Sequence, residues 1–125
     1  MGYPARVSYA ADLGRALYMR FERHGDPSDL EEAIATGRRV VADSPVDHPD
    51  RATILANLGC ALHSHAELDE AVTVHEQAVR ATPPDDPDLA GRLTDLGGAF
   101  IARFQLTGAR GDLRTAVRVL RKATR

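Results

Sequence analysis

Residues 58–62 read Leu58-Gly59-Cys60-Ala61-Leu62, large and apolar at both ends and small at the second and fourth places. The same pattern stands upstream as Leu13-Gly14-Arg15-Ala16-Leu17 and downstream as Leu96-Gly97-Gly98-Ala99-Phe100. Each copy is followed by a second echo: Leu30-Glu31-Glu32-Ala33-Ile34, Leu68-Asp69-Glu70-Ala71-Val72 and Leu113-Arg114-Thr115-Ala116-Val117. Self-similarity at a spacing of about 40 residues is the signature of stacked helical hairpins, each unit burying its apolar face against its neighbours. Such arrays bind other proteins along an extended surface, which argues against an enzyme built round one deep pocket.

The apolar spacing predicts six helices in three antiparallel pairs. Leu13, Leu17 and Phe21, then Leu55, Leu58 and Leu62, then Leu93, Leu96, Phe100 and Phe104 recur at helical intervals in the first helix of each pair. Leu30, Ala33, Ile34 and Val41, then Leu68, Ala71, Val72 and Val79, then Leu113, Ala116, Val117 and Leu120 do so in the second. No segment alternates with period two for long enough to propose a strand. Asp47-His48-Pro49-Asp50 and Asp85-Asp86-Pro87-Asp88 each offer an N-cap aspartate with a proline in the first helical turn. Ser28-Asp29-Leu30-Glu31 reads as a capping box, Pro45 and Pro83-Pro84 stop the helices before them, and Gly25 and Gly108 mark the turns of the outer hairpins. The expected fold is an all-α solenoid of three hairpins in a right-handed superhelical stack, one domain over 1–125 with repeats at about 7–46, 47–84 and 85–125.

The repeats differ in length. From Gly14 to Gly59 is 45 residues and from Gly59 to Gly97 is 38, and the missing seven lie at the tip of the middle hairpin. Seven residues are close to two helical turns, so the outer hairpins can lengthen without rotating their apolar faces, by roughly 5 Å per helix if shared equally. The outer repeats should overhang the middle one and leave a notch.

Bulk composition is consistent with one globular domain, 43% hydrophobic and 27% charged, with a core of aliphatic residues because Trp is absent and Phe and Tyr number three each. A single cysteine cannot form an internal disulfide, so the chain suits a reducing compartment. No stretch approaches the roughly 20 apolar residues of a membrane span. The N-terminus shows no apolar signal region, and Arg6 stands where myristoylation after Met1-Gly2 takes Ser or Thr. A cytoplasmic location is the expectation. The net charge of −2 conceals segregation: residues 26–50 hold seven acids against Arg38 and Arg39, whereas residues 103–125 hold seven basic groups against Asp112 alone.

The middle unit resembles a tetratricopeptide repeat, with Leu55, Leu58, Gly59, Leu62, Ala71, Ala78 and Pro83 at the family's spacing. His75 departs from it, standing where the family has a large apolar side chain. The tips Arg20-Phe21-Glu22-Arg23-His24-Gly25-Asp26 and Arg103-Phe104-Gln105-Leu106-Thr107-Gly108 are similar to the long-hairpin arrays of actinobacterial proteins that often precede a caspase-like CHAT protease domain. The resemblance implies a concave groove lined by the first helix of each pair. Carried over, the groove positions are Ser8, Ala11, Asp12, Arg15 and Tyr18; Thr53, Ala56, Asn57, Cys60 and His63; and Gly91, Thr94, Asp95, Gly98 and Ile101. Asp12, Asn57 and Asp95 would make a polar ladder. The basic clamp by which chaperone-binding relatives grip a C-terminal carboxylate is missing apart from Arg15, which favours a partner bearing basic or hydrogen-bonding groups.

Candidate chemistry is sparse. His63 and His65 stand two apart, where helical side chains diverge, so with Glu67 they make a poor metal site and no metal or cofactor is expected. Cys60 has His63 one turn away, yet no acid is spaced to orient the histidine, so no catalysis is expected. Arg114, Arg118, Arg121 and Lys122 make the last helix basic. That surface suits a solvated face or an acidic protein element better than nucleic acid, because no base-reading side chains accompany it. The function expected is a non-catalytic module holding a peptide or helix of a partner protein in the groove. The alternative is a structural piece of a longer array that stacks on further repeats or an effector (CHAT-like) domain, with self-association through an open apolar end. Leu113, Val117 and Leu120 decide between them according to whether the hairpin covers them.

Overall fold

The computed structural model describes the backbone of residues 3–125 and side chains from Tyr9 onward, so Ser8 lies outside the described residues as a groove side chain. It contains α1 (Tyr3–His24), α2 (Pro27–Asp43), α3 (Arg51–Ser64), α4 (Leu68–Arg80), α5 (Leu89–Thr107) and α6 (Arg110–Ala123), with no strand among the described residues. Each helix packs on the next, giving three hairpins in a stack. The core follows that order. Leu30 and Ile34 meet Leu55, Leu58, Leu62, Ala71 and Ala78 across the first two repeats, and Val72 meets Leu93, Leu96, Phe100, Ala116 and Val119 across the last two.

The first helices also touch one another, α1 with α3 and α3 with α5, whereas the second helices share no backbone contact among the described residues. Between α2 and α4 the hydrogen-bonded link among the described residues is Arg38 with Glu70, in which Nε donates at 3.0 Å. Helices crowded on one side and splayed on the other curve the stack, with α1, α3 and α5 on the inner side.

Helix starts differ from the sequence expectation, earlier in α2 and later in α3 and α5. The N-cap of α2 is Asp26, whose carboxylate accepts the Ser28 amide at 3.0 Å with Pro27 in the first turn, and not the Ser28 of the expected capping box. Asp29 is thereby freed to face inward, where it is buried. Pro49 and Pro87, unlike Pro27, precede their helices, in turns closed by the Asp50 amide on His48 Nδ1 (3.0 Å) and the Asp88 amide on Asp86 (2.8 Å). α3 and α5 begin at Arg51 and Leu89, and neither Asp50 nor Asp88 makes a side-chain cap.

The seven additional residues of each outer hairpin are not shared equally. α1 and α5 run ten residues past Gly14 and Gly97 and α3 five past Gly59, while α2 and α6 start three residues before Leu30 and Leu113 and α4 starts at Leu68. At 1.5 Å per residue the overhang is roughly 7 Å on the first helices and 5 Å on the second. The long hairpins recover one residue by turning in two, through Gly25 and Gly108 at φ 74° and 75°. A glycine adopts the left-handed conformation without a Cβ penalty, and both glycine amides donate back to the carbonyls of Phe21 and Phe104 at 2.7 Å.

A clamp closes each long tip. Arg20 grips Asp29 through two bonds at 2.8 and 2.7 Å, and Arg103 grips Asp112 at 2.9 and 2.8 Å. The planar guanidinium fork matches a carboxylate bidentately, and both carboxyls are held below the usual range by that bond. The pattern Arg-Phe-x-x-x-Gly-x-x-x-Asp, present at residues 20–29 and 103–112 and absent from the middle repeat, is its sequence trace.

Candidate groove between the first helices

On the inner side, a cavity of about 300 Å³ opens between the second and third repeats, lined by Tyr18, Cys60, His63, Ser64, His75, Thr94, Asp95 and Gly98. It gathers residues from three first helices and one second helix. Tyr18 enters from α1 by stacking on Phe21, with centroids 6.4 Å apart, and its hydroxyl shares a 3.0 Å hydrogen bond with Ser64. Burial pushes the Tyr18 hydroxyl above its ordinary value, and the Ser64 bond pulls against that.

Cys60 and Asp95 face each other across the α3–α5 seam, the thiol donating to Oδ2 at 3.8 Å. Burial, and then the neighbouring negative charge, push the thiol up to about 12. A thiol so raised is protonated at neutral pH and is a poor nucleophile, whatever the distance to His63. Asp95 forms no ion pair among the described residues, so its carboxylate offers the cavity an uncompensated negative charge.

His75 occupies the wall. It is almost fully buried, with its ring lying where Gly59 has no side chain: a Cβ there would come within 2.6–2.8 Å of three ring atoms. Nδ1 finds no hydrogen-bond partner among the described residues. Burial lowers the His75 pKa, with Asp95 pulling it up and His63 pushing it further down. The imidazole thus fills the family's large apolar position as a neutral ring.

The other groove positions separate. Asn57 and Arg15 line a narrower cleft between the first two repeats with Ala11, Gly37 and Leu58. Asp12 sits outside both cavities, exposed and 3.4 Å from Arg15, so the three rungs of the polar ladder face different surroundings. Thr53 accepts from Arg92 at 3.0 Å, Thr94 donates to the Ala90 carbonyl at 2.9 Å, and Ile101 packs half-buried against the core of the third repeat. Ala56 is likewise half-buried against the central core, and Gly91 has open space around it. At the middle tip His65 Nδ1 stands 3.7 Å from Glu67, both exposed. Arg114, Arg118, Arg121 and Lys122 are exposed and form no ion pair among the described residues.

Arg92 carries a role the sequence does not announce. Buried at the start of α5, it donates to Thr82 at 2.9 Å and to Thr53, tying the linker between repeats to the inner edge of α3. Arg51 does related work one repeat earlier, donating to the Val41 carbonyl and to Ser44 at the end of α2. Spacing does not separate either arginine from a solvated one.

Fold and groove together define a helical-repeat protein with a curved stack of paired helices. The tetratricopeptide repeat model matches residues 6–50 and 51–82, more than half of the chain, and the chain belongs to that family. The third hairpin lies outside the matched residues and repeats their architecture. No curated protein matches the chain in sequence. Tetratricopeptide repeats generally mediate protein–protein interaction, and no helix among the described residues is long and apolar enough to cross a membrane.

Proposed function

We propose that the chain is a non-catalytic protein-interaction module that holds an extended or helical segment of a partner along α1, α3 and α5. The partner seats a basic side chain in the cavity against Asp95. The observation that carries this reading is the unpaired Asp95 carboxylate in a concave site rimmed by the Tyr18, Ser64 and Thr94 hydroxyls. A lysine or arginine entering there gains a charge-assisted bond and hydroxyl acceptors, whereas a free acidic terminus meets a like charge. The cytoplasm is the compartment this reading assumes, in keeping with the one free thiol.

The test is affinity capture from the native host's lysate at moderate salt, with the parent chain and an Asp95→Asn variant as baits and identification by mass spectrometry. A partner retained by the parent and lost or much reduced on Asp95→Asn is the expected result. Capture of the same proteins by both baits, or of none, would overturn the groove reading. The rival, a segment of a longer array, is favoured by one observation: Leu113 and Val117 are exposed on α6.

A further inference from the structure

The cavity between the second and third repeats has more hydrogen-bond acceptors than protons to fill them. The Cys60 thiol gives its proton to Asp95 Oδ2, and Oδ1 has no partner among the described residues. The Thr94 hydroxyl donates to the Ala90 carbonyl at 2.9 Å, which leaves its oxygen able only to accept. Tyr18 and Ser64 share one bond at 3.0 Å, so one of their two protons is spent and both oxygens keep lone pairs. His75 is 1% exposed and lines the same cavity, yet its Nδ1 meets no partner among the described residues. Held neutral by burial, the ring carries one N–H and one bare nitrogen. A buried polar atom without a partner is costly, and a ligand that supplies the partner recovers that cost.

These acceptors are also spread apart. Asp95 and Thr94 stand on α5, Ser64 on α3, Tyr18 on α1 and His75 on α4, round a space of about 300 Å³. A lysine ammonium delivers three N–H groups from one nitrogen, so it serves acceptors clustered about a point. A guanidinium delivers five from three nitrogens in a plane, sheds its hydration more readily and stacks on aromatic rings such as that of Tyr18. Acceptors divided among four helices suit the guanidinium.

The groove already holds one guanidinium in such a setting. Arg92, 9% exposed, donates to Thr82 at 2.9 Å and to Thr53 at 3.0 Å, with the Asp88 carboxylate 3.8 Å off. Two hydroxyls from different elements and one carboxylate are its polar partners. Tyr18, Ser64 and Asp95 present the same combination about one helical turn further along α5.

We propose that the cavity is an arginine site, taking the guanidinium of a partner's arginine in preference to a lysine ammonium. Asp95 binds the charge, and Tyr18, Ser64 and His75 take N–H groups that a single ammonium cannot deliver to all of them. This rests on the reading of the cavity as the seat of a basic side chain and adds which base is read.

The probes are acetyl-Gly-Arg-Gly-amide and acetyl-Gly-Lys-Gly-amide. Each is titrated at low salt and neutral pH into the isotope-labelled full chain while the amides of Cys60, Asp95 and Gly98 are followed by NMR. The same titrations are run on Asp95→Asn, Tyr18→Phe and His75→Leu, with folding checked by circular dichroism. The parent is expected to bind the arginine peptide about fivefold more tightly, the worth of one further hydrogen bond. Asp95→Asn should weaken both peptides about tenfold or more, because each loses a charge-assisted bond. Tyr18→Phe and His75→Leu each remove an acceptor and should bring the two peptides toward parity, chiefly by weakening the arginine one. Equal affinity of the parent for the two peptides, or a preference that survives both Tyr18→Phe and His75→Leu, would overturn the arginine assignment and leave the basic-side-chain reading standing. Binding of neither peptide, or binding of both that Asp95→Asn does not weaken, would overturn the two together.

Discussion

Three glycines hold equivalent places in the first helices, and what faces each decides how its repeat packs. Opposite Gly97 is Leu120, and opposite Gly59 is His75; the corresponding residue of the first repeat is Gly37, into whose space Leu58 of the next repeat drops. A Cβ at Gly59 would meet a rigid, buried ring at 2.6 Å, whereas at Gly97 the same approach meets half-buried Leu120 near the end of the last helix, which can swing aside. Overpacking a core costs about 1–3 kcal/mol, against a gain of about 0.5–1 kcal/mol for replacing a helical glycine. Gly59→Ala should therefore destabilise, Gly97→Ala should change stability little, and Gly91→Ala, with nothing within 4 Å of its Cβ, should stabilise by about 0.5–1 kcal/mol in urea unfolding. A Gly59→Ala midpoint no lower than that of Gly97→Ala would refute this account of His75. The same histidine makes stability depend on pH. Burial lowers its folded pKa below the ordinary 6.5, so the unfolded chain binds the proton first. Its contribution is complete above pH 6.5 and is lost as pH falls below it, well before the carboxyls of Asp29, Glu70 and Asp112, themselves held low by arginines, are protonated. His75→Leu should flatten the stability curve between pH 6.5 and about 5 and leave the steeper acid limb in place. A curve unchanged by that substitution would show that the ring is free to titrate.

The hairpin tips show how an element's length dictates its turn. The long hairpins close through left-handed glycines and an arginine–aspartate clamp. The short one has neither, and places Ala66 at φ 62° to carry the chain from α3 to α4, with the Glu67 amide donating to the Leu62 carbonyl at 2.9 Å. A left-handed non-glycine residue costs about 1–2 kcal/mol, and the extra freedom of an unfolded glycine returns about 0.4–1 kcal/mol of that. Ala66→Gly should raise stability by a few tenths to about 1 kcal/mol, readable as a higher thermal midpoint. A lower midpoint would mean the turn relaxes without strain. Periodicity carried the helices and the Gly25 and Gly108 turns plainly. Local pattern does not distinguish the two caps, because Ser28-x-x-Glu31 satisfies it as well as Asp26 does. The start at Asp26 is the one that leaves Asp29 to Arg20.

For the whole molecule, stability is a sum over repeats and their seams. The middle hairpin is covered on both sides, and its Leu55, Leu62, Ala71 and Ala78 are almost wholly buried. α1 and α6 are each covered on one side, with Leu13, Leu113 and Val117 in solvent. Amide hydrogen exchange should be slowest in α3 and α4, intermediate in α2 and α5, and fastest in α1 and α6. Protection that is equal in all six helices would indicate a single cooperative unit instead.

The order of helices, their pairing, the short middle repeat and the family were written in the chain, because apolar periodicity, glycine placement and repeated pentapeptides are local properties that survive any three-dimensional arrangement. Of the groove, the sequence offered only candidate residues on the first helix of each pair, through its resemblance to the family. It left open which of them share a cavity, since Tyr18, Cys60, His75 and Asp95 come from four helices and meet only through packing. Tertiary structure alone decided that Arg92 is buried between two threonines, that burial, and then Asp95, pushes the Cys60 thiol up, and that Leu113 and Val117 stand uncovered. Burial and electrostatic environment belong to the neighbours of a side chain, and those neighbours lie 35 or more residues away for Cys60 and Thr53.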